Sequence, residues 1–100
     1  MAQFDVYENR GKNSNIFPYL VDITNNLHSN SKLRVVVPLC SDNYAISKLN
    51  PYFSINGKKL YLSTMDIAGV PAAILGSSVL SLKDYRSQII DAIDFLINGF

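Results

Sequence analysis

His28 is the single histidine of the sequence, and histidine is the side chain best suited to acid–base chemistry near neutral pH. It lies in the polar stretch NNLHSNS, residues 25–31, which is more typical of an ordinary loop than of a catalytic centre. The acids Asp22, Asp42 and Asp66 are scattered without a paired spacing. Each is more typical of a turn, or of a cap on a backbone N–H group, than of catalysis.

The remaining residue types give no further chemistry. Cys40 is the only cysteine, and because it follows VVVPL it is predicted to be a small buried hydrophobe. The sequence has no cluster of histidine and cysteine with metal-ligand spacing and no glycine-rich phosphate loop, so we expect no cofactor. The residues therefore favour a binding protein over an enzyme.

Composition and charge narrow the class of partner. Nine basic and eight acidic side chains give a net charge of +1, which is too small for direct binding to duplex DNA as the main activity. The 100 residues predict a single domain, 1–100, of which 48% are hydrophobic. In so small a domain this apolar content indicates that some of it lies in a subunit interface.

The elements that must position any site change in character along the chain. The first three quarters read as strands, in the segments QFDVY, IFPYLVDI and LRVVVPLC, and Pro18 indicates a strand start or a sheet edge. Pro38 is predicted to interrupt the third segment. Asn56-Gly57 predicts a type I′ hairpin turn between PYFSI and KKLYLSTM. Segment 42–50, DNYAISKLN, has no clean period and could be a short helix or an irregular segment. Residues 67–76 predict two short extended pieces around Val70-Pro71.

The last quarter predicts one amphipathic helix. Ser81 and Asp84 fit a capping box at its start. A polar side follows along the helix, and an apolar stripe is predicted to face the sheet. The polar side contains Ser87, Asp91, Asp94 and Asn98; the stripe contains Leu82, Tyr85, Ile89, Ile93, Leu96 and Ile97.

The sequence DFLINGF, residues 94–100, brings this helix to an unusual end. Gly99 is well placed as the residue that leaves helical geometry. Asp91 and Asp94 lie near the helix C-terminus, where the helix dipole favours cations instead. Phe100 could fold back onto the sheet or stay available to a partner, and periodicity leaves both open. Without a signal-like N-terminus or an apolar run of about 20 residues, a cytoplasmic protein is expected.

The whole sequence resembles the CcdB family of toxins from toxin–antitoxin pairs. The matching pieces run in order from end to end: QFDVY, LVDI, RVVVPL, SINGKKLYLSTMDIAGVP, ILGSSVLSL and SQIIDAIDFLINGF. The resemblance implies a mainly β (α+β) fold: a small SH3-like antiparallel barrel or sheet with one C-terminal helix. It implies a homodimer that binds the A subunit of DNA gyrase and traps the cleaved-DNA complex, which makes it an inhibitor and not an enzyme. A CcdA-type antitoxin would neutralise it with a disordered segment that folds on binding, and DNA would be contacted only indirectly, through the antitoxin.

The resemblance also implies the gyrase-binding residues. The family's terminal Trp-Gly-Ile falls on Asn98, Gly99 and Phe100, its pair of isoleucines on Leu27 and His28, and a family asparagine on Asp94. Because Asn98 cannot supply the flat surface of a tryptophan, we expect the aromatic contact to move to Phe100, with Leu27 and His28 flanking it. The polar loop 8–15 and the adjoining sheet edge are expected to receive the antitoxin.

Two other functions remain open on this fold. MazF/Kid-like toxins are endoribonucleases, and such an enzyme would have to use His28 or Arg34, although no constellation of acid, base and phosphate clamp surrounds them in the sequence. A dimer without toxicity would result if the altered tail had abolished gyrase binding.

Overall fold

The computed structural model describes residues 1–41, 46 and 48–99. It holds one antiparallel sheet that curls into a half-barrel, followed by one helix, which confirms the predicted architecture. Segment 42–50 lies largely outside the described residues. The elements are β1 (Asp5–Asn9), β2 (Tyr19–Asp22), β3 (Leu33–Cys40), β4 (Tyr52–Ile55), β5 (Lys58–Leu62), β6 (Ala68–Pro71), β7 (Leu75–Ser81) and α1 (Arg86–Asn98), with short 3₁₀ turns at Asn26–His28, Thr64–Asp66, Ala72–Ile74 and Lys83–Tyr85.

Strand β3 pairs with three other strands of the sheet, β2, β5 and β6. The strands follow the order β4-β5-β3-β2-β1-β7, and β6 pairs with the first half of β3 while β5 pairs with its end. The predicted interruption at Pro38 is wrong, because β3 runs through it without a break. The Pro38 carbonyl accepts the Ser63 N–H at 2.8 Å. Because the nitrogen of a strand residue points to the same side as its carbonyl, the Pro38 nitrogen faces the gap between β6 and β5, where no strand needs a hydrogen bond from it.

The strands around β3 behave largely as their turn residues indicate. Pro18 lies just before β2, as a strand start predicts, although β2 is an interior strand between β1 and β3. Asn56 and Gly57 have φ of 52° and 81°, so both central residues of the β4–β5 turn are left-handed, as a type I′ turn requires. Two extended pieces, β6 and β7, are present as predicted, but the break between them is the Ala72–Ile74 turn, because Val70 and Pro71 belong to β6.

Helix α1 closes the larger of two apolar clusters. Ile89 and Ala92 are fully buried and pack with Leu82 against the β1–β5 side of the sheet. The predicted stripe is wrong at two positions, since Tyr85 and Ile97 are exposed, whereas Leu82 at its start is buried. The second cluster lies on the opposite face of the sheet and contains Tyr7, Leu20, Val36 and Leu75.

The predicted capping box forms only in part. The Ser81 Oγ accepts the Lys83 N–H at 3.2 Å, but Ser81 is the last residue of β7 and pairs with Asp5. This pairing keeps Ser81 in the strand, so a 3₁₀ turn intervenes and α1 begins at Arg86 without a side-chain cap on its first turn. Within the described ranges, no helix is long and apolar enough to span a bilayer.

Residues 8–15, predicted as a loop, begin inside the sheet. Glu8 and Asn9 belong to β1, and the loop starts at Arg10, whose N–H donates to the Ile74 carbonyl at 2.8 Å. The buried Asn9 side chain shapes this loop: its Oδ1 accepts the Gly11 N–H at 2.8 Å, and its Nδ2 donates to the Phe17 carbonyl at 2.8 Å. An asparagine at a strand end is therefore structural here.

Candidate functional site

The turn between β2 and β3 presents Leu27 and His28 on the surface. Leu27 is 88% exposed, which is unusual for a leucine, and His28 is also exposed. The turn begins with a side-chain cap, because the Asn25 Oδ1 accepts the Leu27 N–H at 2.9 Å. It is joined to the N-terminal segment by the Gln3 N–H, which donates to the Asn26 Oδ1 at 2.8 Å. Residues 25–31 therefore keep the side chains of Leu27 and His28 at the surface.

A buried ion pair lies directly beneath this turn. Arg34 and Asp22 have side chains with 0% exposure, and the Arg34 Nε donates to the Asp22 Oδ2 at 2.8 Å. The Arg34 Nη2 is 2.7 Å from the same oxygen, but its geometry gives electrostatic attraction without a directional hydrogen bond. The other carboxylate oxygen of Asp22 accepts the Thr24 N–H at 3.0 Å, so the cap role predicted for this acid is correct but secondary.

The third nitrogen of Arg34 reaches the turn itself. Its Nη1 donates to the His28 carbonyl at 2.6 Å, which ties the backbone of the turn to the interior of the sheet. A fully buried guanidinium cannot serve as a surface clamp for the phosphate of an RNA substrate. The structure therefore removes Arg34 as a candidate for ribonuclease chemistry.

The C-terminal end of α1 is the second exposed segment with predicted site residues. Asp94 and Asn98 lie on its exposed side with Asp91, as the polar stripe predicts. Gly99 has a φ of 78° and its N–H donates to the Phe95 carbonyl at 2.9 Å, which confirms it as the residue that leaves the helix. Phe100 lies outside the described residues.

The two exposed segments are held by different parts of the molecule. Helix α1 packs against the Thr64–Asp66 turn and against the Lys83–Tyr85 turn that precedes the helix. The Leu27–His28 turn is instead held by the N-terminal segment and by β3. No hydrogen bond, ion pair or ring contact joins the two segments within the described part of this one chain. The structure thus presents Leu27 and His28 on one exposed turn, and Asp94, Asn98 and Gly99 on the exposed end of α1.

Four exposed apolar side chains lie on three neighbouring elements, and the sequence did not identify them. Leu33 and Val35 of β3 are 67% and 41% exposed, Met65 of the Thr64–Asp66 turn is 68% exposed, and Ile97 of α1 is 73% exposed. The Thr64–Asp66 turn contacts both β3 and α1, so these side chains lie on adjoining elements. We call these four residues the apolar surface.

Sequence reasoning found the exposed turn and the helix end but missed what supports the turn. The sequence contained a sign of this support, since Arg34 lies two residues before Val36 in the apolar segment LRVVVPLC and Asp22 ends an otherwise apolar strand. Opposite charges in two strands predicted to be buried indicate an internal ion pair. The described residues contain no group of three or more histidine, cysteine, aspartate or glutamate side chains that could hold a metal ion.

Comparison with known families gives one result. A family model described as "CcdB protein" matches residues 3–99, which is nearly the whole chain and includes both exposed segments.

Proposed function

The chain belongs to the CcdB family of toxin–antitoxin toxins, and from that premise we propose that it binds the A subunit of DNA gyrase and traps the complex with cleaved DNA. The observation that carries the proposal is the family match over residues 3–99, which extends through the helix end to Gly99. Trapping requires only binding, so the protein is proposed to act as an inhibitor of gyrase in the cytoplasm and not as an enzyme.

The exposed helix end supports a role in gyrase contact. Asp94, Asn98 and Gly99 are exposed, and the left-handed Gly99 directs the chain away from the helix axis. Phe100 follows immediately and would supply the aromatic face on which a gyrase arginine can stack. Leu27, with 88% of its surface exposed, would add an apolar anchor and His28 a polar neighbour. These six residues are the proposed gyrase-binding set.

A homodimer is the proposed assembly. The apolar surface on β3, the Thr64–Asp66 turn and α1 supports it, because exposed aliphatic side chains on adjoining elements are typical of a subunit interface. A dyad at this surface would bring the ends of two α1 helices near one another. It would also give gyrase, itself a dimer of A subunits in this step, a symmetric partner.

A CcdA-type antitoxin is the proposed neutralising partner. Its disordered segment would fold on the toxin, at residues 8–15, which comprise the end of β1 and the loop after it, and at the adjoining edge strand β7, which pairs with β1. DNA is proposed to be contacted only through the antitoxin in the joint complex. The net charge of +1 supports this division, since the toxin lacks the basic excess that phosphate binding needs.

The affinity for a gyrase A dimerisation fragment tests the proposal. We expect Phe100→Ala to weaken binding about tenfold or more, because truncation of a central aromatic anchor costs about 2 kcal/mol or more. Tyr52→Ala is the matched control: Tyr52 is also an exposed aromatic, 57% accessible, but lies on the β4–β5 hairpin, outside the proposed set.

Two outcomes would contradict this proposal. If the unaltered protein does not bind the fragment, the gyrase target is wrong. If Phe100→Ala binds as tightly as Tyr52→Ala while remaining folded, the assignment of the aromatic contact to Phe100 is wrong.

A further inference from the structure

Arg34 makes three contacts with two groups, the carboxylate of Asp22 and the backbone carbonyl of His28. Its Nε and Nη2 lie 2.8 and 2.7 Å from the Asp22 Oδ2, and its Nη1 lies 2.6 Å from the His28 carbonyl. The first two contacts are internal to the β2–β3 pair. The third leaves the sheet and ends on the turn that carries Leu27 and His28. We propose that Arg34 is a positioning residue that fixes this turn in its binding shape, an inference that rests on the proposed function.

The turn needs such a support because its other side-chain hydrogen bonds are exposed. The bond from the Leu27 N–H to Asn25 and the bond from the Gln3 N–H to Asn26 both lie in solvent, where a hydrogen bond adds little net stability. The bond from Arg34 is charge-assisted and has a fully buried donor, so it is expected to be the strongest of the three. It acts on the residue directly after Leu27.

The chemistry of the guanidinium makes the arrangement specific to arginine. Its planar fork presents several N–H donors in fixed directions, so it can pair with Asp22 on one side and the turn on the other. A lysine at position 34 has a single ammonium group and could keep the pairing with Asp22 without reaching both partners. The acceptor is the backbone oxygen of His28, so the imidazole is left for a partner to contact.

This arrangement predicts that the turn is ordered before gyrase binds. A preformed turn reduces the conformational entropy lost on association. Loss of the Arg34 tie should therefore weaken binding through Leu27 and His28 and leave the contribution of the helix end unchanged.

Hydrogen exchange in the free protein tests the first step. In Arg34→Lys we expect the amides of His28 and Ser31, which donate within the turn to Asn25 and His28, to exchange about tenfold faster. The control is measured in the same variant, at the amides of the β4–β5 hairpin, which lies outside the turn. Their exchange should change less than exchange at His28 and Ser31.

If Arg34→Lys does not fold, the double variant Asp22→Leu/Arg34→Met replaces it. Removing both charges of a buried pair together is often tolerated, whereas removing one is not. The double variant keeps an apolar interior and lacks the tie, so the same acceleration at His28 and Ser31 is expected. Unchanged protection of these amides in a folded variant would overturn the inference.

A mutant cycle for binding tests the second step. With the gyrase A fragment, Arg34→Lys combined with Leu27→Ala should be non-additive, because both changes act on one turn. Arg34→Lys combined with Phe100→Ala should be additive. Additivity in both cycles would overturn the inference even with gyrase binding intact. If the unaltered protein does not bind the fragment, the proposed function fails, and hydrogen exchange alone decides whether Arg34 positions the turn.

Discussion

Four polar residues share the face of the sheet that holds the smaller apolar cluster. Tyr7 and Asp5 of β1 are neighbours there of Asp22 and Arg34, and the Tyr7 hydroxyl donates to the Asp5 Oδ2 at a long 3.5 Å. Burial raises the pKa of the Tyr7 phenol above its ordinary 10.0, and the negative charge of Asp5 raises that pKa further. Tyr7 therefore makes the stability of the fold depend on pH.

Tyr7→Phe tests that coupling. Because the pKa of Tyr7 is raised in the folded state, the folded protein binds its proton more tightly than the unfolded chain. The stability associated with this proton is complete below about pH 10 and is lost as the pH rises towards the folded pKa. In urea unfolding from pH 8 to 11, we expect the free energy of unfolding of Tyr7→Phe to fall less steeply than that of the unaltered protein.

Tyr52→Phe controls for the loss of one phenol at the surface, since Tyr52 is exposed on the β4–β5 hairpin. Its curve should run parallel to that of the unaltered protein. If Tyr7→Phe also gives a parallel curve, Tyr7 does not contribute the proposed pH dependence.

At the scale of elements, turn chemistry and periodicity predicted most of the fold. The Asn56-Gly57 hairpin, the strand start after Pro18 and the helix exit at Gly99 follow from local backbone preferences that neighbours do not override. The errors arise where tertiary structure decides. Ile97 fits the helical period but is exposed, and the strand paired with one edge of β3 changes from β6 to β5 around Pro38. Local sequence does not contain this information.

The hairpin gives a prediction about stability. Gly57→Ala should destabilise the fold by about 1–2 kcal/mol, because Gly57 has a φ of 81° and an alanine in left-handed geometry is strained. No atom lies within 4 Å of where its Cβ would be, so the loss measures backbone strain and not a clash. Chemical denaturation of the purified protein provides the measurement.

Gly69→Ala is the matched control for this change. Gly69 also has open space around the position of a Cβ but lies in β6 without a positive φ, so alanine there should be neutral or stabilise by about 0.5 kcal/mol. Equal effects of the two substitutions would contradict the strain argument.

At the scale of the whole molecule, the proposed dimer would account for the exposed apolar surface. A dimer formed through Leu33, Val35, Met65 and Ile97 would bury aliphatic side chains that one chain leaves in water. It would also add a second copy of both segments to the assembly. The sequence predicted an interface from composition alone, and the exposed side chains in the structure are the residues that we propose for it.

Leu33→Asp tests this assembly. Leu33 is 67% exposed in the single chain, so an aspartate there costs the fold of one subunit little but places two like charges near a dyad. We expect sedimentation to show a monomer, or a dimer at least about tenfold weaker, with an unchanged circular dichroism spectrum. Ile16→Asp is the control, since Ile16 is 53% exposed and lies in the loop between β1 and β2, not among the four residues of the apolar surface. An undisturbed dimer in Leu33→Asp would show that the interface lies elsewhere.

The central claim is that this chain is a gyrase poison, and one reaction tests it most directly. Purified protein is incubated with gyrase, supercoiled plasmid and ATP, and the products are treated with detergent and protease. We predict linear plasmid, because the trapped complex holds DNA with both strands cut, and we predict less of it with Phe100→Ala. A parallel reaction with RNA in place of plasmid should leave the RNA intact. Plasmid that stays uncut with folded, unaltered protein would contradict the claim, and cut RNA would assign the chain to the ribonuclease class instead.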